Sequence, residues 1–361
     1  MPDPIRVQSR SSAAKIEVGI LGATGTVGQN FLRFLEGHPW FEVTWLGASD
    51  RSAGKRYSDA TAWRLSGVMP ASAAGLQVQE CKPDHAPRLI FSSMDASVAT
   101  EIEQAFAQAG HVIVSNSRNH RMEPDVPLLI PEINPGHLAI VPLQQRQRGW
   151  KGLIVTNPNC STIVLALALA PLKQFGIRRV VATTMQAVSG AGYPGVPSMD
   201  ITGNVVPFIG GEEDKMEVET QKILGECNGQ EFQPHTLKVS AHCNRVPVLD
   251  GHMVATSFEL DGKPSEQDLI QAVNSFRSLP QERDLPSAPA LPVQYMLEQD
   301  RPQPRRDVER DNGMAVYIGR LRRCPVLDYK FMALGHNTIR GAAGAAVLNA
   351  ELMHSEGLLD S

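Results

Sequence analysis

Ile16-Glu17-Val18-Gly19-Ile20-Leu21-Gly22-Ala23-Thr24-Gly25-Thr26-Val27-Gly28 is the stretch that decides the fold. Ile16 to Leu21 is a short apolar run suited to a buried parallel strand, and Asn30 to Leu35 has the spacing of a helix. Between them Gly22, Gly25 and Gly28 follow a G-x-x-G-x-x-G spacing, a variant of the dinucleotide fingerprint. Glycine lets the chain turn sharply and lets the backbone of Gly22, Thr24, Gly25, Thr26, Val27 and Gly28 approach a pyrophosphate. The helix N-terminus then adds its partial positive charge. A turn that only packs a helix onto a strand has the same pattern; the flanking elements favour the dinucleotide reading.

Working outward, Phe41–Ala48, Leu89–Phe91 and His111–Val114 read as further strands, with helical spacing from Val98 to Ala109. Pro127–Ile130 and Gly152–Val155 are expected to add strands to the same sheet. Strands alternating with helices predict a parallel sheet covered on both faces. After Cys160 the texture changes to a helical run (Ser161–Leu172), Gly-rich loops, and helical patterns at Glu213–Leu224 and Ser265–Phe276. Met253–Leu260, Ala315–Leu321 and Tyr329–Leu334 alternate like a sheet with one buried face. Gln281–Arg306, rich in Pro and charge, reads as a long surface connection. Asn337–Leu352 is helical again and is expected to return to the first domain. The fold class is therefore α/β: a Rossmann-type dinucleotide-binding domain from 1–157 and 337–361, with 1–14 a disordered polar extension, and an α/β catalytic domain from 158–336.

Ala48-Ser49-Asp50-Arg51-Ser52-Ala53-Gly54-Lys55 follows the second strand, where the adenosine ribose is read. Ser49, Arg51 and Ser52 offer donors and positive charge to a 2′-phosphate and point to NADP, while Asp50 keeps NAD open.

Composition limits the alternatives. The 361 residues carry a formal net charge of -4 and are 42% hydrophobic, enough for sizeable cores without the clustered basic surface of a nucleic-acid binder. The longest apolar run, Ile163–Leu172, is about half of the ~20 residues of a membrane span. No hydrophobic segment near the N-terminus suits a secretory signal. Five cysteines (Cys81, Cys160, Cys227, Cys243, Cys324) without a Cys-x-x-Cys pair fit free thiols in a reducing cytoplasm and no metal site.

Thr156-Asn157-Pro158-Asn159-Cys160-Ser161-Thr162 runs from a buried strand into an apolar helix. A thiol at a helix N-terminus feels the dipole, which favours thiolate, and Asn159 can offer amide donors to an oxyanion. Cys243 is the rival thiol, lacking both the helix start and the Asn-Pro-Asn lead. Arg245-Val246-Pro247-Val248-Leu249-Asp250-Gly251-His252 offers a base in His252, although nothing local separates it from an ordinary surface histidine. Glu212-Glu213-Asp214-Lys215 opens a helix, where acidic residues suit the dipole anyway. Ser115-Asn116-Ser117-Arg118-Asn119-His120-Arg121 follows a strand's C-terminal end, where doubly wound sheets place ligands; either arginine there suits a solvated surface equally.

Together the glycine loop with Gln29, the Asn157-Pro158-Asn159-Cys160-Ser161-Thr162 centre, Arg245-Val246-Pro247-Val248 and Gly251-His252 resemble the aspartate-semialdehyde dehydrogenases, most closely their fungal and archaeal branch. The resemblance spans about Lys15 to Leu352. It implies reversible conversion of L-4-aspartyl phosphate and NADPH to L-aspartate 4-semialdehyde, phosphate and NADP, in the synthesis of aspartate-derived amino acids. Cys160 would be the nucleophile and His252 the acid/base, with Asn159 beside the thioester and Gln186 helping to orient the substrate. Arg245 and Glu212 would hold the substrate's carboxylate and amino group, with Arg118, Asn119 and Lys215 toward the phosphate. Ser92 and Asn337 would border the cofactor. The second domain would form the dimer interface of a homodimer or dimer of dimers. N-acetyl-glutamyl-phosphate reductase, an acyl-CoA reductase and a non-catalytic nucleotide-binding regulator are the alternatives.

Overall fold

The computed structural model describes residues 14–359, so most of the expected N-terminal extension lies outside the described residues. Ile16–Leu21 forms β1, and the next five strands are Phe41–Ala48 (β2), Val78–Glu80 (β3), Leu89–Ser92 (β4), Val112–Ser115 (β5) and Leu153–Thr156 (β6). They make one sheet in the order β3-β2-β1-β4-β5-β6, with every neighbouring pair parallel. The order reverses between β2-β1 and β4, which opens a crevice at the strands' C-terminal ends beside the glycine loop. β4, β5 and β6 are buried at every position, as a sheet covered on both faces requires.

The second sheet is mixed. Its strands are Ile177–Gln186 (β7), Lys238–Arg245 (β10), His252–Leu260 (β11), Val293–Met296 (β12), Val316–Arg323 (β13) and Tyr329–Gly335 (β14); Glu226–Cys227 (β8) and Phe232–Gln233 (β9) pair separately. The order is β10-β7-β11-β14-β13-β12. Along β11 buried and half-buried residues alternate from His252 to Leu260, the period of a strand with one face on the core.

The helix Cys160–Leu169 joins the two halves. Every residue from Ser161 to Leu169 is buried, and a helix apolar all round belongs in a core. Ile163–Leu169 packs into the core of the second sheet. The helix Gly344–Ser355 returns to the first sheet, where Val347, Leu348, Leu352 and Met353 join Phe31, Phe41 and Phe91. No described helix is long and apolar enough to cross a membrane.

Two expectations need correction. Pro127–Ile130 is not a strand: Leu128 makes a single bridge to Thr156, and proline removes a ladder donor. Conversely, Gln281–Arg306 is not all surface connection, because β12 lies within it and pairs parallel with β13. Val293 is fully buried there, a signal diluted by the surrounding prolines and charges.

Candidate active site

Gly22 has φ +76°, and a Cβ there would stand 2.8 Å from the Ser93 carbonyl oxygen. A Cβ on Gly28 would meet the Gly22 oxygen at 2.5 Å, so these two positions need glycine both for the turn and for the close packing of helix on loop. The helix Thr26–Leu35 starts after Gly25 with no side-chain cap, which leaves its first-turn amides facing the crevice for an anion. Ser49, Arg51 and Ser52 stand at the end of β2, where the Ser52 amide turns back onto the Ser49 carbonyl at 2.8 Å. Ser92 does not face this crevice. It is fully buried and its hydroxyl donates to Glu103 at 2.6 Å, while the hydroxyl on the glycine loop belongs to Ser93, 3.1 Å from the Leu21 carbonyl. Successive strand residues point to opposite faces, so a one-residue slip exchanges them.

Asn159 caps the helix that Cys160 opens, accepting from Ser161 N at 2.9 Å and Thr162 N at 3.2 Å. Its own amide groups donate in turn. Nδ2 donates to Glu212 at 2.7 Å and the backbone N–H to Glu219 at 2.7 Å. Asn159 therefore fixes the nucleophile's position, with one of its two Nδ2 hydrogens left for a further acceptor.

Cys160 Sγ lies 3.2 Å from His252 Nε2. His252 opens β11, is fully buried, and accepts the Ala187 backbone N–H on Nδ1 at 3.1 Å. An acceptor at Nδ1 assigns the neutral ring's hydrogen to Nε2, toward the sulfur. Burial pushes the His252 pKa down to about 3, and the Arg245 charge adds to it. Burial likewise pushes the Cys160 thiol up to about 12, Glu212 pushes it further, and Arg121, Arg245 and the Ser161 amide oppose. The helix terminus acts in the expected direction, but desolvation outweighs it. Both shifts favour the uncharged forms of the pair.

Glycine walls the pair on two sides. A Cβ on Gly190 would come within 2.9 Å of Arg245 Nη1 and His252 Nε2, and one on Gly341 within 2.7 Å of Cys160 Cβ. Gln186, opposite Arg245 in the β7–β10 register, is 1% exposed and donates to Glu212 at 3.4 Å. Arg245 Nη1 donates to the Ala187 carbonyl at 2.8 Å, and Lys215 Nζ to Glu212 Oε1 at 2.8 Å. Burial raises the Glu212 pKa, yet the Lys215 hydrogen bond and charge, with Asn159 and Gln186, bring it below the usual range, so the buried carboxylate stays ionised.

The loop after β5 rearranges the expected anion-binding residues. Arg118 is exposed, and its charge acts on Asp95. Asn119 donates to the Ala96 carbonyl at 2.7 Å and accepts from Ser117 at 2.9 Å, tying the loop to a neighbouring helix. Arg121 instead turns inward: it is 8% exposed, pairs with Glu219 at 3.0 Å, leaves Nε without a partner, and bears electrostatically on Cys160.

Asn337 connects the two halves of the site. Its Oδ1 accepts Gly251 N at 2.8 Å, beside His252, and its Nδ2 donates to Ser189 Oγ at 2.8 Å. Thr26, Asn30, Ser189, His336 and Thr338 line a cleft of about 300 Å³ that runs from the glycine-loop helix to the turn over His252. The cleft thus joins the glycine-loop helix to Ser189, next in the chain to Gly190, which packs against His252.

Comparison with known proteins agrees with this geometry. Residues 17–141 match the semialdehyde dehydrogenase NAD binding domain and 169–340 the semialdehyde dehydrogenase dimerisation domain. An aspartate-semialdehyde dehydrogenase from Archaeoglobus fulgidus is 48% identical, covering 96% of this chain and 100% of its own. One from Methanothermobacter thermautotrophicus is 51% identical over 94% of this chain and 99% of its own. The crystal structure of the Candida albicans aspartate semialdehyde dehydrogenase with NADP superposes with a TM-score of 0.88 at 43% identity, covering 95% of this chain and 99% of that one. With a Rossmann crevice, a Cys160–His252 pair and this degree of identity along nearly its whole length, the chain belongs to the aspartate-semialdehyde dehydrogenase family.

Proposed function

We propose that this protein interconverts L-4-aspartyl phosphate and L-aspartate 4-semialdehyde with NADP(H), through a thioester on Cys160, in the synthesis of aspartate-derived amino acids. The observation that carries the reading is the buried Cys160 Sγ–His252 Nε2 contact of 3.2 Å, ringed by Arg121, Arg245 and Glu212. NADP suits the crevice on the evidence of Gly22 and Gly28, whose missing Cβ atoms leave room for backbone to approach a pyrophosphate. Ser49, Arg51 and Ser52, just past the end of β2, offer donors and positive charge to a 2′-phosphate. When bound, the nicotinamide supplies or accepts the hydride.

In the reductive direction the sulfur attacks the acyl carbon, the S–C bond forms and the acyl C–O bond breaks, releasing phosphate. The thiol proton leaves with the released phosphate, and His252 Nε2, whose hydrogen points to the sulfur, hydrogen-bonds the sulfur and the oxyanion that develops beside it, while Ala187 fixes the ring through Nδ1. Arg245 takes the substrate carboxylate. Glu212, ionised and buried, takes the ammonium, which displaces Lys215 from Oε1 and frees it for the phosphate. Arg121 replaces Arg118 as the second phosphate cation. We assign the cofactor domain to 1–157 and 337–361 and the catalytic domain to 158–336, with a homodimer or dimer of dimers formed through the latter in the cytoplasm.

The test is kcat/KM for aspartate semialdehyde against N-acetyl-glutamate semialdehyde, each with phosphate and NADP. Only the free-amine substrate offers Glu212 an ammonium, so the first should be strongly preferred, and Glu212→Gln should reduce that preference. A parent enzyme that prefers the acetylated compound overturns the substrate while leaving the thioester chemistry intact.

A further inference from the structure

The helix Glu212–Leu224 carries Glu212, Lys215, Glu219 and Lys222 at spacings of three and four residues, so the four charges share one helix face. In sequence such a stripe reads as a solvated face. Here it turns inward: Glu212, Glu219 and Lys222 are buried, which charged side chains seldom are unless paired. Glu212 and Lys215 stand in the proposed substrate site. Lys222 Nζ donates to the carbonyls of Arg121, Glu123 and Val126 at 2.8, 2.9 and 2.8 Å and so pins the loop after β5. Glu219, between them and 2% exposed, has no part in the proposed reaction.

Its two oxygens hold two different parts of the site. Oε1 accepts Arg121 Nη1 at 3.0 Å, and Oε2 accepts the backbone N–H of Asn159 at 2.7 Å. Asn159 is the N-cap of the helix that Cys160 opens, so its side chain serves the amides ahead of it but not its own. In a capping box a Glu or Gln at the third helical position reaches back to that N–H. Thr162 occupies that position here, and Glu219, 60 residues further along the chain, supplies the carboxylate instead. The other oxygen fixes Arg121, whose Nη2 donates to the Asn116 carbonyl at 2.9 Å. One side chain thus ties the turn that bears the nucleophile to the cation assigned to phosphate. Its charge has two opposing effects. A carboxylate beside Arg121 weakens the pull of that arginine on an anion, while charge-assisted hydrogen bonds fix where the guanidinium stands. The first bears on how tightly phosphate binds, the second on how well bound phosphate is aligned with the acyl carbon.

We propose that Glu219 is a positioning residue that holds Arg121 in register with Cys160, so that phosphate on the arginine stands in line with the thioester carbon. The phosphate role of Arg121 rests on the function proposed above. In the full-length enzyme Cys160 is charged with aspartate semialdehyde and NADP without phosphate, and discharge of the acyl adduct is followed by rapid-quench mass analysis as inorganic phosphate is raised. Glu219→Gln keeps the side chain's length but presents one carbonyl acceptor to two donors. The discharge rate at saturating phosphate should fall about ten-fold or more, with the half-saturating concentration moving much less. In an Arg121→Leu background, with no cation left to align, Glu219→Gln should slow discharge little further. A limiting rate that stays at the parent's value, whatever happens to phosphate affinity or to stability in urea, overturns the proposal, and so does full additivity of the two substitutions. If Glu219→Gln does not fold, Glu219→Asp, which keeps the charge but not the reach to both donors, is read by the same limiting rate. A parent that forms no acyl adduct refutes the function instead, and Glu219 is then read without turnover. Saturating inorganic phosphate should slow iodoacetamide alkylation of Cys160 in the parent and to a smaller extent in Glu219→Gln; equal protection of both overturns the proposal.

Discussion

At the scale of single residues the site is a contest between burial and charge. Cys160 was legible in sequence because Asn-Pro-Asn followed by an apolar helix is an unusual setting for a core cysteine; its rival Cys243 is buried with its sulfur 3.6 Å from Met216 Sδ. Cys160→Ser should therefore abolish nearly all turnover and Cys243→Ser should keep most of it, as steady-state rates will show. The resting protonation was not legible, since desolvation depends on what closes over the thiol. With the thiol raised, its thiolate fraction at neutral pH is small and grows as pH rises. Alkylation of Cys160 should accordingly speed up with pH and show no plateau near pH 8. Glu212→Gln, which removes a negative charge that holds the proton on, should accelerate it at fixed pH, and Arg245→Leu should slow it. That Arg121 and not Arg118 turns inward was hidden for a related reason. Which arginine of an irregular loop turns inward is decided by Glu219 and Lys222, about a hundred residues away in the chain.

At the scale of elements, periodicity reported what burial enforces. The first strand, the glycine loop, β11 and the apolar helix after Cys160 were all legible because each repeats its signal over several residues. The three-residue β3 and the four-residue β12 are too short for a period to register, and β12 sits in a proline-rich setting. Asn159→Ala tests the helix start. Losing an N-cap costs about 1 kcal/mol, and Glu212 loses the Nδ2 donor, so urea unfolding should show a loss of that size or more together with a fall in kcat. Gly341→Ala should act differently: its Cβ crowds Cys160, so kcat should drop well before stability does.

For the whole molecule, the sequence conveyed two α/β halves and a returning helix, but not how their side chains converge, because Cys160, His252, Glu212 and Arg121 come from four separate segments. Buried neutral histidines add a pH dependence of folding. His137, packed on Phe232 and held by Asn134, is pushed down to about 4 by burial, and Lys222 and Lys173 act in the same direction. Its unfolded form binds a proton below about pH 6.5 that the native form refuses until about pH 4. Stability should therefore fall with pH across that window by about 1.4 kcal/mol per unit from this residue alone. His137→Gln should flatten the slope of unfolding free energy against pH by that amount. The central claim, a covalent acyl intermediate on Cys160, is tested most directly by rapid-quench intact-mass analysis. Enzyme is mixed with aspartate semialdehyde and NADP in the absence of phosphate, then digested to locate the adduct. An acyl adduct on the peptide containing Cys160, discharged on adding phosphate and missing in Cys160→Ser, is the predicted result; turnover by Cys160→Ser, or an adduct on any other cysteine, would contradict it.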